Sequence, residues 1–204
     1  MQSASTRSNL RVTKIIPFKD AFKISWWHRF NVFELYMWPN IIFMVFGCYT
    51  MVHTFWDLLW LADRSSNISG FLLAVVAAFL ILLLVVMISH EGLHFLAYRS
   101  FGINDANLQC RWTGIQCCVP NRLVGARETI IALLAPTVLS LILLAGCFLA
   151  QTAEMRLIAG TALFMNAFGA GWDWFLAVMT LRDSSIAFWE DSVVRKEMIG
   201  YSQI

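Results

Sequence analysis

Three titratable side chains lie within five residues in the segment His90-Glu91-Gly92-Leu93-His94. The segment has the pattern H-E-x-x-H, which on a helix places His90 and His94 one turn apart on the same face. Two imidazoles in that arrangement can bind one Zn²⁺, and the neighbouring carboxylate of Glu91 can take a proton from water as it attacks a carbonyl group. The pattern therefore predicts zinc-dependent hydrolysis with two histidine ligands and Glu91 as the general base.

The position of this segment in the chain strengthens that interpretation. It follows directly on an unbroken apolar run from Phe71 to Ile88. Titratable groups within a membrane helix are costly to bury and are therefore functional by default. The alternative is that two histidines happen to be spaced by four at an interfacial helix end. Three such groups in five residues favour the functional interpretation.

A hydrolytic zinc ion has three protein ligands and one open position, so a third ligand must come from elsewhere. The other histidines, His28 and His53, lie before the first apolar segment and near its far end. Asp173 is the one carboxylate well inside an apolar segment, and it follows Asn166 by seven residues, so on one helix both would share a face. Small residues beside that face would let another helix approach closely. We predict Asp173 as the third ligand; the alternative is a packing face with a buried aspartate paired to Asn or Arg.

The composition is that of a membrane protein. Of the 204 residues, 59% are hydrophobic and 14% are charged, whereas about a quarter of the residues in soluble domains are charged. Such hydrophobicity excludes intrinsic disorder, and a net charge of +2 without a basic face argues against nucleic-acid binding. Four segments are apolar over the roughly 20 residues that a crossing helix needs: Leu35–Trp56, Gly70–Tyr98, Thr129–Ala150 and Leu157–Leu181.

The distribution of basic residues predicts the orientation of these crossings. With four crossings, residues 1–34, 99–128 and 182–204 share one side, and they hold 13 of the 15 lysines and arginines. The positive-inside rule then predicts an integral, multi-pass membrane protein with both termini in the cytosol. In this topology His94 and Asp173 lie at similar depths, near the cytosolic ends of their helices.

Residues outside the crossings have weaker patterns. Residues 1–34 form a basic, aromatic-rich lead-in, typical of a helix in the membrane interface or of an ordinary flank to the first crossing. The stretches Leu108–Trp112 and Ile115–Val119, on either side of a turn at Thr113-Gly114, predict a short β-hairpin in the cytosolic loop, with an irregular loop as the alternative. Pro136 should kink the third helix.

We therefore predict an all-α membrane protein with about four transmembrane helices, a basic N-terminal lead-in and a cytosolic loop that contains the hairpin. Residues 1–34 would be the interfacial segment, residues 35–181 a transmembrane metalloprotease-like domain and residues 182–204 a cytosolic tail.

These motifs resemble those of the integral-membrane zinc proteases of the site-2 type, which carry H-E-x-x-H on one membrane helix and an aspartate ligand on a later one. They resemble more closely a family of small four-helix membrane proteins described as zincin peptidases, otherwise a domain of unknown function. His90–Ala97 fits the first motif of that family, Ala132–Pro136 its third-helix motif, and Asn166–Asp173 its last motif.

The resemblance implies that His90, His94 and Asp173 bind zinc, that Glu91 is the catalytic base, and that Asn166 assists the substrate or the site. One departure concerns the last motif, where site-2 proteases have Leu-Asp-Gly after a proline. This chain has Trp172-Asp173-Trp174 with no proline nearby, which argues against an unwound fourth helix.

The predicted function is that of a zinc-dependent endopeptidase of the lipid bilayer. It would cleave membrane or membrane-proximal peptides near the cytosolic side, with Zn²⁺ as its cofactor and no nucleic-acid partner. Two alternatives use the same ligands: a catalytically silent zinc-binding scaffold that holds a partner helix, and a metal transporter. The apolar run from Phe71 to Ile88 argues against transport, because a transported ion needs polar groups along its path.

Overall fold

The structure, a computed structural model, describes residues 10–17, 38–64, 68–111, 114–120, 122–192 and 197–203. The helices in these ranges are α1 Trp38–Arg64, α2 Ile68–Ser100, α3 Ala126–Leu134, α4 Thr137–Leu149, α5 Ala153–Gly169 and α6 Gly171–Arg182. The strands are β1 Leu10–Pro17, β2 Asn107–Arg111, β3 Gly114–Cys118, β4 Leu123–Gly125, β5 Phe188–Ser192 and β6 Glu197–Gln203. The protein is mostly helical, with small antiparallel sheets.

Three stretches of helix are long and apolar enough to cross a membrane: Trp38–Trp60, Leu72–Ser100 and Ala126–Leu149. A fourth is added if α5 and α6, which pass the same test only together, are counted as one bent span. Large apolar side chains on the surface of α2, such as Leu73 at 73% exposure, suit contact with lipid rather than water. These stretches correspond to the four predicted segments, with helix ends shifted by a few residues.

The third and fourth segments are each broken rather than continuous. Pro136 has no N–H to continue the helical hydrogen bonds, so the predicted kink is a turn at Ala135-Pro136 between α3 and α4. The fourth segment breaks at Ala170, which lies between two poor helix formers, Gly169 and Gly171. The expectation of one continuous helix that carries Asn166 and Asp173 on one face was therefore wrong. Glycine breaks this segment where no proline is present.

The chain divides into two compact units, of which the first, here called the helical unit, consists of Trp38–Glu91 and Pro136–Ala170. Within it α1 packs closely along α5. A Cβ atom added to Gly47 would lie 2.6 Å from the backbone nitrogen of Phe164, so only glycine permits this approach. The buried core comprises Phe43, Cys147, Leu163 and Ala167.

The second unit, here called the sheet unit, consists of Met1–Met37, Gly92–Ala135 and Gly171–Ile204. Its described residues form a four-stranded antiparallel sheet in the order β1-β6-β5-β4. The core of this unit comprises Ile16, Leu133, Leu176, Ala177, Ile186 and Trp189. This sheet corrects the all-α prediction. Two neighbouring strands of this sheet, β1 and β6, come from residues near the two ends of the chain. No local pattern in the sequence predicts a pairing between residues so far apart.

The predicted hairpin in the loop after α2 is confirmed. Strands β2 and β3 pair antiparallel, from Asn107 opposite Cys118 to Arg111 opposite Gly114. Gly114, expected in the turn, is the first residue of β3. The aromatic stretch from Phe18 to Phe30 lies outside the described residues, so the interfacial helix stays a prediction.

Candidate metal centre

The H-E-x-x-H residues lie on α2, which runs without a break through both units. His90, Glu91 and His94 each offer a ligand atom, and these three atoms lie within 4.8 Å of one another. Both histidines are buried, and Glu91 is half-buried. Helical spacing by four residues alone brings the two rings together, so the sequence is sufficient to form this part of the site.

The ring of His94 is oriented by a backbone carbonyl group in the sheet unit. Its Nδ1 lies 2.7 Å from the carbonyl oxygen of Ala132. A carbonyl oxygen can only accept a hydrogen bond, so Nδ1 must carry the proton and donate it. In the neutral ring the lone pair is then on Nε2. Ring nitrogens of zinc-binding histidines are held in this way, with the second nitrogen donating to an oxygen.

The carbonyl oxygen of Ala132 is able to accept this bond because of the proline four residues later. In a regular helix it would accept from the N–H of residue 136, but Pro136 has none. The N–H of Ala135 reaches the same oxygen at 3.2 Å, and a second lone pair serves His94. Pro136 thus ends α3 and also leaves the carbonyl oxygen of Ala132 able to accept from His94.

Asp173, in the first turn of α6, lies beside His94. Its Oδ2 is 3.4 Å from His94 Nε2, and both residues are buried. Two ligand atoms each about 2.1 Å from a tetrahedral zinc ion lie about 3.4 Å apart. A carboxylate that faces the lone pair of a nitrogen needs a cation or a proton between the two atoms. The pair therefore has the spacing and the charge of two ligands of one metal ion.

Asn166 orients the ring of His90 in the helical unit. The Nδ2 group of Asn166 donates to the carbonyl oxygen of Pro136 at 3.1 Å and to Ser140 Oγ at 2.8 Å. Because the carbonyl group can only accept, the amide is oriented with Oδ1 toward His90 Nδ1, at 2.9 Å. His90 Nδ1 is then the donor, and its lone pair, like that of His94, is on Nε2.

The structure thus places the residues predicted from the sequence in two groups. His94 and Asp173 lie together in the sheet unit, and His90 and Asn166 lie together in the helical unit. His53 forms an exposed pair with Asp57 on α1, at 3.3 Å. His28 is outside the described residues.

Sequence reasoning missed three supporting residues. Ala132 accepts the hydrogen bond from His94, and Pro136 and Ser140 accept those from the amide of Asn166. Two signals could have found them. The first is that a proline frees the carbonyl group four residues before it, at Ala132. The second is that Ser140 is the one hydroxyl of α4 beyond its first residue, Thr137, and such polar groups in apolar helices tend to form hydrogen bonds between helices.

A comparison with known protein families matches residues 83–185, half of the chain, to the family described as "Putative zincin peptidase". The matched region begins within α2 and ends just after α6, so it contains every candidate ligand described above. No curated protein and no solved structure matches the chain. The match extends over half of the sequence, and the chain therefore belongs to this zincin peptidase family.

Proposed function

We propose that this protein is a zinc-dependent endopeptidase of a membrane, which cleaves membrane or membrane-proximal peptide bonds near the cytosolic side. Membership of the family supports a metallopeptidase. Three to four helices of suitable length and hydropathy support a membrane location. The observation that carries the proposal is the distance of 3.4 Å between His94 Nε2 and Asp173 Oδ2. The other ring nitrogen of His94, Nδ1, donates its proton to the carbonyl oxygen of Ala132.

His90 and His94, each through Nε2, and Asp173 through a carboxylate oxygen would hold the zinc ion. The donor set fits, because two neutral imidazoles and one carboxylate are a known ligand set of catalytic zinc. The bound ion would supply Lewis acidity, which polarises a substrate carbonyl and makes a water molecule more acidic.

The other residues act on protons and on geometry. Glu91, next to His90 and half-buried, would accept the proton of the attacking water and return it to the leaving amine. Asn166 would keep the His90 ring in the tautomer that binds metal. A transmembrane substrate must unwind locally before it is cut, because the carbonyl groups of a helix are already hydrogen-bonded.

The substitution Glu91→Gln tests whether the protein is an enzyme. Glutamine has nearly the same shape but cannot accept the proton, so turnover should fall by about 10²–10⁴-fold while zinc content is unchanged. The measurement is cleavage of accumulated membrane substrates in cells that hold wild type or variant at matched levels, with metal analysis of the purified proteins. Equal cleavage with equal zinc would instead favour the silent zinc-binding scaffold.

The topology is tested separately. Reporter fusions at residue 5, at residue 65 and after residue 204 should read inside, outside and inside, because most basic residues lie in the segments assigned to the cytosol. A cytosolic signal at residue 65 would overturn the four-crossing arrangement and the cytosolic placement of the cleavage site.

A further inference from the structure

A groove runs along α1 on the outside of the helical unit. Its volume is about 680 Å³, which lies within the range of about 300–1,000 Å³ that is usual for ligand sites. Most of its wall is apolar and is formed by Met44, Val45, Cys48, Tyr49, Val52 and Phe164. The side chains of Val45, Tyr49 and Val52 are largely exposed, so the groove opens to the surroundings of α1 and not into the core.

One end of this groove is polar, because His53 and Asp57 line it beside Trp56. His53 Nδ1 lies 3.3 Å from Asp57 Oδ2, and the two side chains are 62% and 60% exposed. The ring of Tyr49 lies 5.8 Å from that of His53, close enough for attraction between an aromatic face and a cationic imidazole. The apolar stretch of α1 ends at Trp60, about 5 Å along the helix from Asp57. The ion pair therefore lies near the boundary where a membrane helix meets the polar headgroups, and tryptophan is typical of that boundary.

An ion pair at this position requires a partner outside the helix. Charged side chains in membrane helices are costly and usually face the interior of the protein, because hydrocarbon offers them no hydrogen bonds. His53 and Asp57 instead face outward, in a groove whose remaining wall is apolar. A ligand that complements this groove has an apolar chain and, at one end, two opposite charges.

The order of the groups along α1 is the order of the groups in a zwitterionic phospholipid. From Val45 to His53 the helix rises about 12 Å, and the wall over this length would contact an acyl chain. His53 comes next, where an imidazolium would face the phosphate. Asp57 lies one turn further, where its carboxylate would face the terminal ammonium group. A lipid without that ammonium group would bring its phosphate charge near Asp57 with nothing to compensate the carboxylate.

We infer that this groove binds one phospholipid of the phosphatidylethanolamine type, with its phosphate at His53 and its ammonium group at Asp57. A primary ammonium group has three N–H donors and can form charge-assisted hydrogen bonds to the carboxylate, which a quaternary choline group cannot. The inference rests on the membrane location in the proposed function and not on catalysis.

The test compares two lipids with the same acyl chains, phosphatidylethanolamine and phosphatidylglycerol, which lacks the ammonium group. Each is titrated into the purified full-length protein after removal of lipid in detergent, and bound lipid is counted by native mass spectrometry. Wild type should bind phosphatidylethanolamine on the order of tenfold more tightly, as expected for hydrogen bonds between charged groups.

Two substitutions separate the two charges of the headgroup. Asp57→Asn retains the shape of the side chain without its charge, so the affinity for phosphatidylethanolamine should fall about tenfold, while that for phosphatidylglycerol should not fall. His53→Gln removes the group that faces the phosphate, which both lipids have, so both affinities should fall.

A third substitution tests the apolar part of the groove. Val45→Trp fills the groove from an exposed position, so it should weaken binding of both lipids on the order of tenfold, because the acyl chain loses its apolar contact. The matched control is Val76→Trp, the same change at a similarly exposed position of α2 that does not line the groove. It should leave both affinities as in wild type.

Equal affinity of wild type for the two lipids, or a preference that persists in Asp57→Asn, would overturn the lipid site. A dimer that forms without lipid and is lost in Val45→Trp would assign the groove to a second copy of the chain and overturn it as well. The proposed function fails by other results. Release of the protein from membranes by an alkaline wash without detergent would overturn the membrane location. Absence of lipid preference with intact cleavage that depends on Glu91 would overturn the lipid site alone.

Discussion

The two histidines of α2 have the same orientation but are held by different means. His94 donates to a backbone carbonyl group, that of Ala132, and its other nitrogen faces Asp173. His90 donates to the side chain of Asn166, which is itself held by Pro136 and Ser140. The ring of His94 thus bonds directly to a main-chain carbonyl group, whereas the ring of His90 bonds to the side chain of Asn166.

Because of this difference, a single substitution can remove the hydrogen-bond acceptor of His90 but not that of His94. A substitution at Ala132 leaves its carbonyl group in place, so the support of His94 persists as long as α3 persists. The support of His90 is lost with a single side chain. We therefore expect the metal affinity to respond strongly on the Asp173 side, where a ligand is removed, and in graded steps on the Asn166 side, where only orientation is lost.

The largest effect is expected for Asp173→Ala. Removal of a ligand should weaken zinc binding by more than the 10–100-fold that is typical of a supporting residue. The measurement is zinc affinity of the purified protein by competition with a chelator. Asp57→Ala is the matched control, because Asp57 is an exposed carboxylate on α1 that pairs only with His53 in the part of the chain described. Full zinc affinity in Asp173→Ala would mean that another carboxylate binds the metal, and Glu128, in the first turn of α3, would be the next residue to substitute.

An intermediate effect is expected for Asn166→Leu. Leucine fills the volume but provides no acceptor for His90 Nδ1, so the ring can change tautomer or rotate, and zinc affinity should fall about 10–100-fold. The same chelator competition measures it. A loss as large as that of Asp173→Ala would show that Asn166 does more than orient His90, and the comparison between the two histidines would fail.

A smaller effect is expected for Ser140→Ala. The amide of Asn166 loses one acceptor but still donates to the carbonyl oxygen of Pro136, so its orientation is kept. The cost of one hydrogen bond is about 1 kcal/mol, which corresponds to a loss of zinc affinity of about fivefold at most. A loss equal to that of Asn166→Leu would indicate that Ser140, rather than the Pro136 carbonyl group, sets the position of the amide.

The smallest effect on the metal is expected for Ala132→Gly. The carbonyl group that holds His94 remains, so zinc affinity should be unchanged, while the free energy of unfolding should fall by about 0.5–1 kcal/mol because glycine is a poorer helix former. Thermal denaturation and zinc titration measure the two quantities. A clear drop in zinc affinity without a change in stability would contradict the assignment of this support to the backbone.

Sequence reasoning reached the helical part of the protein and the residues of its candidate site, and it failed where the contacts are distant. The apolar segments follow from hydropathy over about 20 residues, and the pairing of His90 with His94 follows from the helical period. The break at Ala170 was missed, although Gly169 and Gly171 were visible, because each glycine by itself is tolerated in a helix. Asn166 and Asp173 therefore occupy separate helices, α5 and α6, rather than one face of a single helix.

The sequence by itself determined the chemistry that α2 offers: two histidines and a glutamate as candidate metal-site residues, the spacing of the histidines by one turn and the apolar run that precedes them. These properties are local, since a helix imposes them within four residues. Only the tertiary structure decided the rest. It brought Asp173 to 3.4 Å from His94, turned both Nδ1 atoms toward oxygen acceptors, and joined β1 to β6 near the two ends of the chain. Each of these depends on contacts between residues far apart in the chain, which local periodicity does not encode.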